Sequence, residues 1–171
     1  MLKLTKNHQK IIIFLGDYPE KKFFSKEIAG KLNISLGGTH NAIKYLAKEK
    51  IVDTEQRGNM KFYRINDENP LVKQLKTTTV IEKLLPLINK SKRFCEEIIL
   101  FGSTARGEQT RNSDIDLFIL THTPEDVKKN ISKYQKQMPV KPVIKTPNQW
   151  SELEIKEPEF YKEVKRGIKL F

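Results

Sequence analysis

Cysteine residues and long apolar segments are what this sequence has least of. Its 171 residues include one cysteine, Cys95, so no disulfide can form within the chain. A chain without disulfides is typical of a reducing compartment, and we expect a cytoplasmic protein. No apolar run approaches the roughly 20 residues that a membrane-spanning helix requires. We therefore expect no association with a membrane.

Acidic residues are too few to balance the basic ones. The chain has 32 lysines and arginines against 21 aspartates and glutamates, a formal net charge of +11. Such an excess favours binding to a polyanion, although a lysine-rich surface of the thermophilic kind is the alternative. Residues 1–69 carry 13 basic and 8 acidic side chains, which gives +5 and leaves +6 for residues 70–171. Charge alone does not indicate which half binds nucleic acid.

The first 65 residues follow the order helix, helix, helix, hairpin. Apolar residues at helical spacing predict a first helix capped by Asn7 and a second one that begins at Ser25. A turn at residues 33–38 precedes a third helix of about ten residues. The apolar period then falls to two, which predicts a β-hairpin with its tip at residues 56–59.

This order of elements resembles the winged helix-turn-helix domains of ArsR-type and MarR-type regulators, over about residues 5–66. The resemblance implies binding to double-stranded DNA, with the third helix in the major groove and the hairpin, or wing, along the backbone. It also implies a homodimer, since such regulators bind two-fold operators. A protein-interaction module is the alternative. The polar residues that suit contacts with DNA are Lys26, Thr39, His40, Asn41 and Lys44 on the helices and Arg57, Asn59 and Lys61 on the wing.

A connecting helix follows the hairpin. Apolar residues recur at helical intervals between residues 71 and 88, and no linker rich in glycine and serine intervenes. We therefore predict a winged-helix domain at residues 1–68, a connecting helix at 69–92 and a second domain at 93–171. The fold class is α+β.

The second domain carries the residues that suggest chemistry. An apolar strand at residues 97–101 leads into Gly102-Ser103-Thr104-Ala105-Arg106-Gly107, and the next strand contains Ser113-Asp114-Ile115-Asp116. A strand that ends in Gly-Ser before a helix can bind phosphate, because glycine allows close approach of the backbone and the start of the helix offers free amides. Arg106, about one turn into this helix, is placed to reach a phosphate oxygen.

The two aspartates suggest a metal site. Asp114 and Asp116 are two residues apart on a strand, so their carboxylates project from the same face. Adjacent carboxylates repel each other unless a cation lies between them, and hard oxygen ligands with a triphosphate select Mg²⁺ or Mn²⁺. Because an Asp-x-Asp pair is also common at solvated strand ends, the prediction depends on its combination with the Gly-Ser turn.

This combination resembles the minimal nucleotidyltransferases of the DNA polymerase β superfamily. The resemblance implies a small mixed sheet with flanking helices that binds a nucleoside triphosphate, ATP being our candidate. A nucleoside monophosphate would pass to an acceptor as pyrophosphate leaves. The residues implied are Asp114 and Asp116 for catalysis and Mg²⁺ (or Mn²⁺), and Gly102, Ser103, Arg106 and Ser113 for phosphate. The whole arrangement is similar to ArsR-like regulators fused to such a domain.

The family's third carboxylate is missing. The strand expected to supply it, at residues 140–145, contains two lysines and no acid. Two functions therefore stay open. One is a nucleotidyltransferase directed to DNA by its winged helix, with a protein side chain as a possible acceptor, because related domains often neutralise a HEPN-type toxin encoded beside them. The other is a winged-helix regulator, antitoxin-like in character, whose degenerate second domain senses nucleotide or binds a partner.

Overall fold

The apolar residues of the chain collect in two units, Met1–Lys76 and Thr77–Phe171, and each unit has its own buried core. The computed structural model describes residues 3–135 and 138–171. Within those ranges, no helix combines the length and the hydropathy needed to cross a membrane.

The first unit contains the predicted three helices and hairpin, together with one short strand that the sequence did not predict. Its elements are α1 (Lys6–Gly16), β1 (Phe23–Phe24), α2 (Ser25–Leu32), α3 (Leu36–Lys48), β2 (Val52–Arg57) and β3 (Met60–Ile65). The strands form an antiparallel sheet of order β1-β3-β2. This arrangement confirms the prediction of a winged helix.

Local hydrogen bonds set the boundaries of these elements. Thr5, and not the predicted Asn7, caps α1, since its hydroxyl accepts a hydrogen bond from a backbone N–H of the first turn. Ser35 caps α3 in the same way, so this helix begins within the predicted turn at residues 33–38 and is longer than expected. The tip of the wing has two residues, whereas four were predicted. One of the two, Gly58, has a left-handed backbone with a φ of 55°.

Thr39 is fully buried, which corrects one of the predicted contacts with DNA. Thr39 lies three and four residues before Ala42 and Ile43 and therefore faces the core with them. Its hydroxyl has no hydrogen-bond partner among the residues that the structure describes. A side chain in this position cannot reach a duplex.

The second unit is a mixed four-stranded sheet with helices against both faces, as predicted. Its elements are α4 (Pro70–Ser91), which begins in the first unit, β4 (Glu97–Leu100), α5 (Gly102–Ala105), β5 (Ile115–Leu120), α6 (Pro124–Gln135), β6 (Val140–Lys145), α7 (Pro147–Lys156), α8 (Pro158–Lys165) and β7 (Ile168–Lys169). The strand order is β6-β5-β4-β7, with β5 and β6 parallel and the other pairs antiparallel.

Alternation along β5 gives the two faces of this sheet different neighbours. Leu117 and Ile119 are buried in the cluster that includes residues of α4 and α6. Phe118 points the other way and packs against Trp150 of α7, with ring centroids 4.3 Å apart. Since side chains alternate with a period of two, Asp116 shares the face of Phe118. The predicted acidic pair therefore belongs to the face that carries α7 and α8.

We expect Thr39→Val to stabilise the first unit, because a methyl group of similar size replaces a buried hydroxyl that has no hydrogen bond. The free energy of unfolding should rise by about 1 kcal/mol in urea denaturation followed by circular dichroism. The matched control is Thr104→Val in the second unit. Thr104 is equally buried, but its hydroxyl donates to the carbonyl oxygen of Asp114 at 3.3 Å, so its loss should destabilise. Destabilisation by both substitutions would contradict this account of Thr39.

Candidate active site

The chain turns sharply where β4 ends. Gly102 has a left-handed φ of 70°, and a Cβ atom built on it would lie 2.6 Å from Oδ2 of Asp116. A backbone hydrogen bond of 3.1 Å from Phe101 N–H to the carbonyl oxygen of Asp116 holds the two segments together at the same point. Only glycine permits this approach, which brings the Gly-Ser turn against the carboxylate.

The two aspartates lie at the start of β5. Asp114 is exposed and precedes the strand, whereas Asp116 is half-buried within it. Burial raises the pKa of Asp116, the positive charge of Lys141 opposes this rise, and the negative charge of Asp114 adds to it. Within the described part of the chain, neither carboxylate has an ion-pair partner within 4.0 Å. Two unpaired carboxylates on one face are a suitable donor set for a hard cation.

Arg106 has protein partners that the sequence did not predict. The helix α5 is a single turn, so Arg106 is its C-cap rather than a residue one turn into a longer helix. Its Nε donates to Glu108 at 2.7 Å and its Nη1 to Glu163 of α8 at 3.5 Å. These bonds, the one to Glu108 foremost, raise the pKa of the guanidinium. The side chain is thereby held towards α8.

A cavity of about 380 Å³ adjoins the Gly-Ser turn. Its wall combines residues of this turn with acidic and basic residues of α8 and the segment after it. The lining residues are Gly102, Ala105, Arg106, Glu159, Glu163, Arg166 and Gly167. The turn therefore adjoins both the Asp116 carboxylate and a polar cavity.

Ser103 and Ser113 differ in their surroundings. Ser103 is half-buried in α5, and its carbonyl oxygen accepts a hydrogen bond of 2.9 Å from the backbone of Glu108. The hydroxyl of Ser113 accepts a hydrogen bond of 2.9 Å from the backbone N–H of Thr110. Ser113 thus closes the loop that leads to Asp114, and its hydroxyl oxygen is hydrogen-bonded within that loop.

One charged residue near Asp116, Glu163, was missed by the sequence reasoning, whereas Lys141 was noted only as one of two lysines on the strand that lacks the third acid. Lys141 of β6 is the register partner of Asp116, and the negative charge of Glu163 in α8 also acts on that carboxylate. A signal for Glu163 was present, because Glu159 and Glu163 are four residues apart and so share one face of a helix. No local pattern marks Lys141, since its position depends on the pairing of β5 with β6.

The geometry fits a cation held by two protein carboxylates. The oxygen donors are those that Mg²⁺ and Mn²⁺ prefer, and the missing side chain of Gly102 leaves space beside Oδ2 of Asp116. In residues 3–135 and 138–171, no group of three or more histidine, cysteine, aspartate or glutamate side chains is arranged to hold a metal ion. The protein ligands would then be Asp114 and Asp116 alone.

The first unit carries the residues predicted to contact DNA. Apart from Thr39, all of them are exposed: Lys26, His40, Asn41, Lys44, Arg57, Asn59 and Lys61. On the wing, Glu55 accepts hydrogen bonds from Lys22 and Arg57, which lower the pKa of Glu55 to about 2. The Arg57 guanidinium also lies 5.4 Å from the centre of the Phe62 ring. The free cations of this surface are therefore found mainly on the helices.

Among solved structures, the chain is similar to Lactococcus lactis ZitR, with 20% identity over 56% of this chain and 64% of that chain and a TM-score of 0.41. It is also similar to the adhesin competence repressor AdcR from Streptococcus pyogenes (21% identity, 54% of this chain, 69% of that chain, TM-score 0.40). A third is Mb0332 from Mycobacterium bovis, a homodimeric winged helix-turn-helix DNA-binding domain described as a possible ArsR-family regulator (16% identity, 47% of this chain, 71% of that chain, TM-score 0.38). The chain matches less than two thirds of the length of ZitR. No curated protein matches the sequence.

A family model described as a nucleotidyltransferase domain matches residues 81–169, just over half of the chain. The matched region includes the Gly-Ser turn, both aspartates and α8. It begins within α4, ahead of the predicted domain start at residue 93. The chain therefore belongs to the nucleotidyltransferase domain family.

Proposed function

We propose that the second unit is a Mg²⁺-dependent nucleotidyltransferase that transfers a nucleoside monophosphate from ATP to an acceptor, for which a protein side chain is our candidate. The observation that carries this proposal is the approach of Gly102 to the Asp116 carboxylate, with a Cβ position only 2.6 Å from Oδ2. A phosphate bound at the Gly-Ser turn would lie beside a carboxylate that has no ion-pair partner among the residues described. A divalent cation between the two would offset the charges of both.

Each residue of the site has a distinct role in this proposal. The backbone amides at the start of α5 and the Ser103 hydroxyl would bind phosphate oxygens, and Asp114 and Asp116 would hold the cation. Mg²⁺, when bound, would neutralise the triphosphate and stabilise in-line attack on the α-phosphate as pyrophosphate leaves. Arg106, held by Glu108 and Glu163, would orient the turn against α8.

We expect Mg·ATP to bind to the wild type in calorimetric titration and not to Asp114→Asn/Asp116→Asn, because the double variant loses both oxygen charges that hold the cation. The matched control is Glu125→Gln/Asp126→Asn, which removes the same charge from exposed positions of α6. That control should bind like the wild type. Mg·GTP would test the preference for ATP. Failure of the wild type to bind either nucleotide would leave a degenerate domain and favour the regulator.

We expect Gly102→Ala to abolish nucleotide binding, because its methyl group would meet Oδ2 of Asp116 at 2.6 Å. The left-handed backbone adds a cost of about 1 kcal/mol for any residue other than glycine. Gly58→Ala controls for this second effect, since Gly58 is also left-handed, with a φ of 55°, but has no atom within 4 Å of its Cβ position. Equal nucleotide affinity in the two alanine variants would contradict the role given to Gly102.

For the first unit we propose binding to double-stranded DNA as a homodimer. The exposed polar residues of α3 support this proposal, as does the net positive charge of the chain. The winged helix would then direct the enzyme to DNA or, in the alternative function, act as the regulator itself. A HEPN-type partner remains our candidate for the protein acceptor. Light scattering that gave a monomer at micromolar concentration would count against the homodimer.

We expect Lys44→Ala to weaken binding to duplex DNA several-fold and to lower the salt dependence by about one counterion per protomer, because it removes one phosphate contact from each half of the proposed dimer. Arg57→Ala should have a smaller effect, since Glu55 and the Phe62 ring already engage that guanidinium. Fluorescence anisotropy at several salt concentrations measures both quantities. Lys133→Ala, at an exposed site on α6 of the second unit, is the control. DNA binding unchanged in both test variants would refute this docking.

A further inference from the structure

Lys141 occupies the position on β6 that is paired with Asp116 on β5. The two residues are Cα partners in a parallel ladder. Neighbouring strands lie about 4.8 Å apart, and paired residues of a ladder project from the same face. The ammonium group of Lys141 therefore shares the face of the acidic pair.

Lysines of this unit fall into two groups. Four of them form ion pairs: Lys128 with Glu125, Lys156 with Glu152, Lys162 with Glu159 and Lys169 with Glu97. Lys141 is exposed and, within the described residues, has no carboxylate within 4.0 Å. Its charge nevertheless acts on Asp116. Among the lysines without an ion pair in the described residues, Lys141 is the register partner of Asp116 and so lies beside the proposed phosphate and metal site.

The charges of the site limit how many divalent cations it can hold. Without nucleotide, the two carboxylates and the Lys141 ammonium group give a formal charge of −1, since Glu163 is offset by its ion pair with Arg106, and one divalent cation changes the sum to +1. A second divalent cation would bring it to +3, with strong repulsion among the cations. An acid in place of Lys141 would give −3, which two divalent cations would convert to +1.

We propose, on the basis of the function proposed above, that Lys141 binds a phosphate group of the nucleotide and that the site holds a single divalent cation. Lys141 then supplies the positive charge that a second cation would bring. It also lowers the affinity of the nucleotide-free site for metal. These two effects have opposite signs, which makes the assignment testable by binding alone.

The test compares Lys141→Gln with wild type, using Mn²⁺ and ATP as probes. Without nucleotide, Mn²⁺ should bind the variant about three- to tenfold more tightly, because one like charge is removed. At saturating Mn²⁺, ATP should bind about tenfold more weakly, the size of one charge-assisted contact. Electron paramagnetic resonance of free Mn²⁺ measures the first quantity, and equilibrium dialysis measures the second.

Lys145→Gln is the matched control, since Lys145 lies on the same strand and the same face, about 13 Å along β6. Both affinities of this control should stay within about twofold of the wild type. Lys141→Glu provides a third carboxylate and should raise the Mn²⁺ stoichiometry from one to two. Equal shifts in Lys141→Gln and Lys145→Gln, or two Mn²⁺ ions per wild-type chain, would overturn the proposal.

The outcomes separate this proposal from the function on which it rests. If wild-type protein binds ATP at saturating Mn²⁺ and Lys141→Gln binds it equally well, the role of Lys141 is wrong while the nucleotide site stands. If wild-type protein binds no ATP at saturating Mn²⁺, the proposed function fails and the phosphate contact of Lys141 fails with it.

Discussion

The approach of a glycine backbone to a carboxylate is the constraint on which the second unit depends. Gly102 can come this close to Asp116 because it has no side chain, and its left-handed φ of 70° turns the chain out of β4 at that point. A half-buried carboxylate loses hydration, and burial accordingly raises the pKa of Asp116. A bound cation would remove this cost. The same contact that shapes the turn thus creates a place where positive charge is favourable.

The alternation of side chains along β5 places the apolar residues of the core and the carboxylate of the candidate site at different positions on the same strand. Leu117 and Ile119 are buried on one face of the sheet, and Phe118 is buried on the other against Trp150. Asp116 shares the face of Phe118 but lies nearer the start of the strand, where the Gly-Ser turn and Lys141 are its neighbours. The apolar residues fix the register, and the register determines which charges meet at the exposed end of the sheet.

The parts of this arrangement that follow from local sequence could be predicted, and those that depend on distant pairing could not. Gly102 and Asp116 lie within one short motif, so their roles were predicted from spacing. Thr39 was assigned to the wrong face although it lies three and four residues before the buried Ala42 and Ile43, a spacing that places all three on one side of α3. The positions of Lys141 and Glu163 beside Asp116 depend on strand register and on helix packing; the spacing of Glu159 and Glu163 marks a shared helical face but not what that face packs against.

The range of electrostatic interactions explains why the net positive charge would matter for the proposed binding of DNA and hardly for the proposed binding of a nucleotide. At physiological ionic strength a charge is screened beyond about 8 Å, so a nucleotide in the second unit responds to the few charges around Asp116 and hardly to the net charge of +11. A duplex is a polyanion that contacts many cations at once, and its affinity grows with their number. In the proposed functions, nucleotide affinity would therefore depend on individual residues such as Lys141, and DNA affinity on the summed surface of the winged helix.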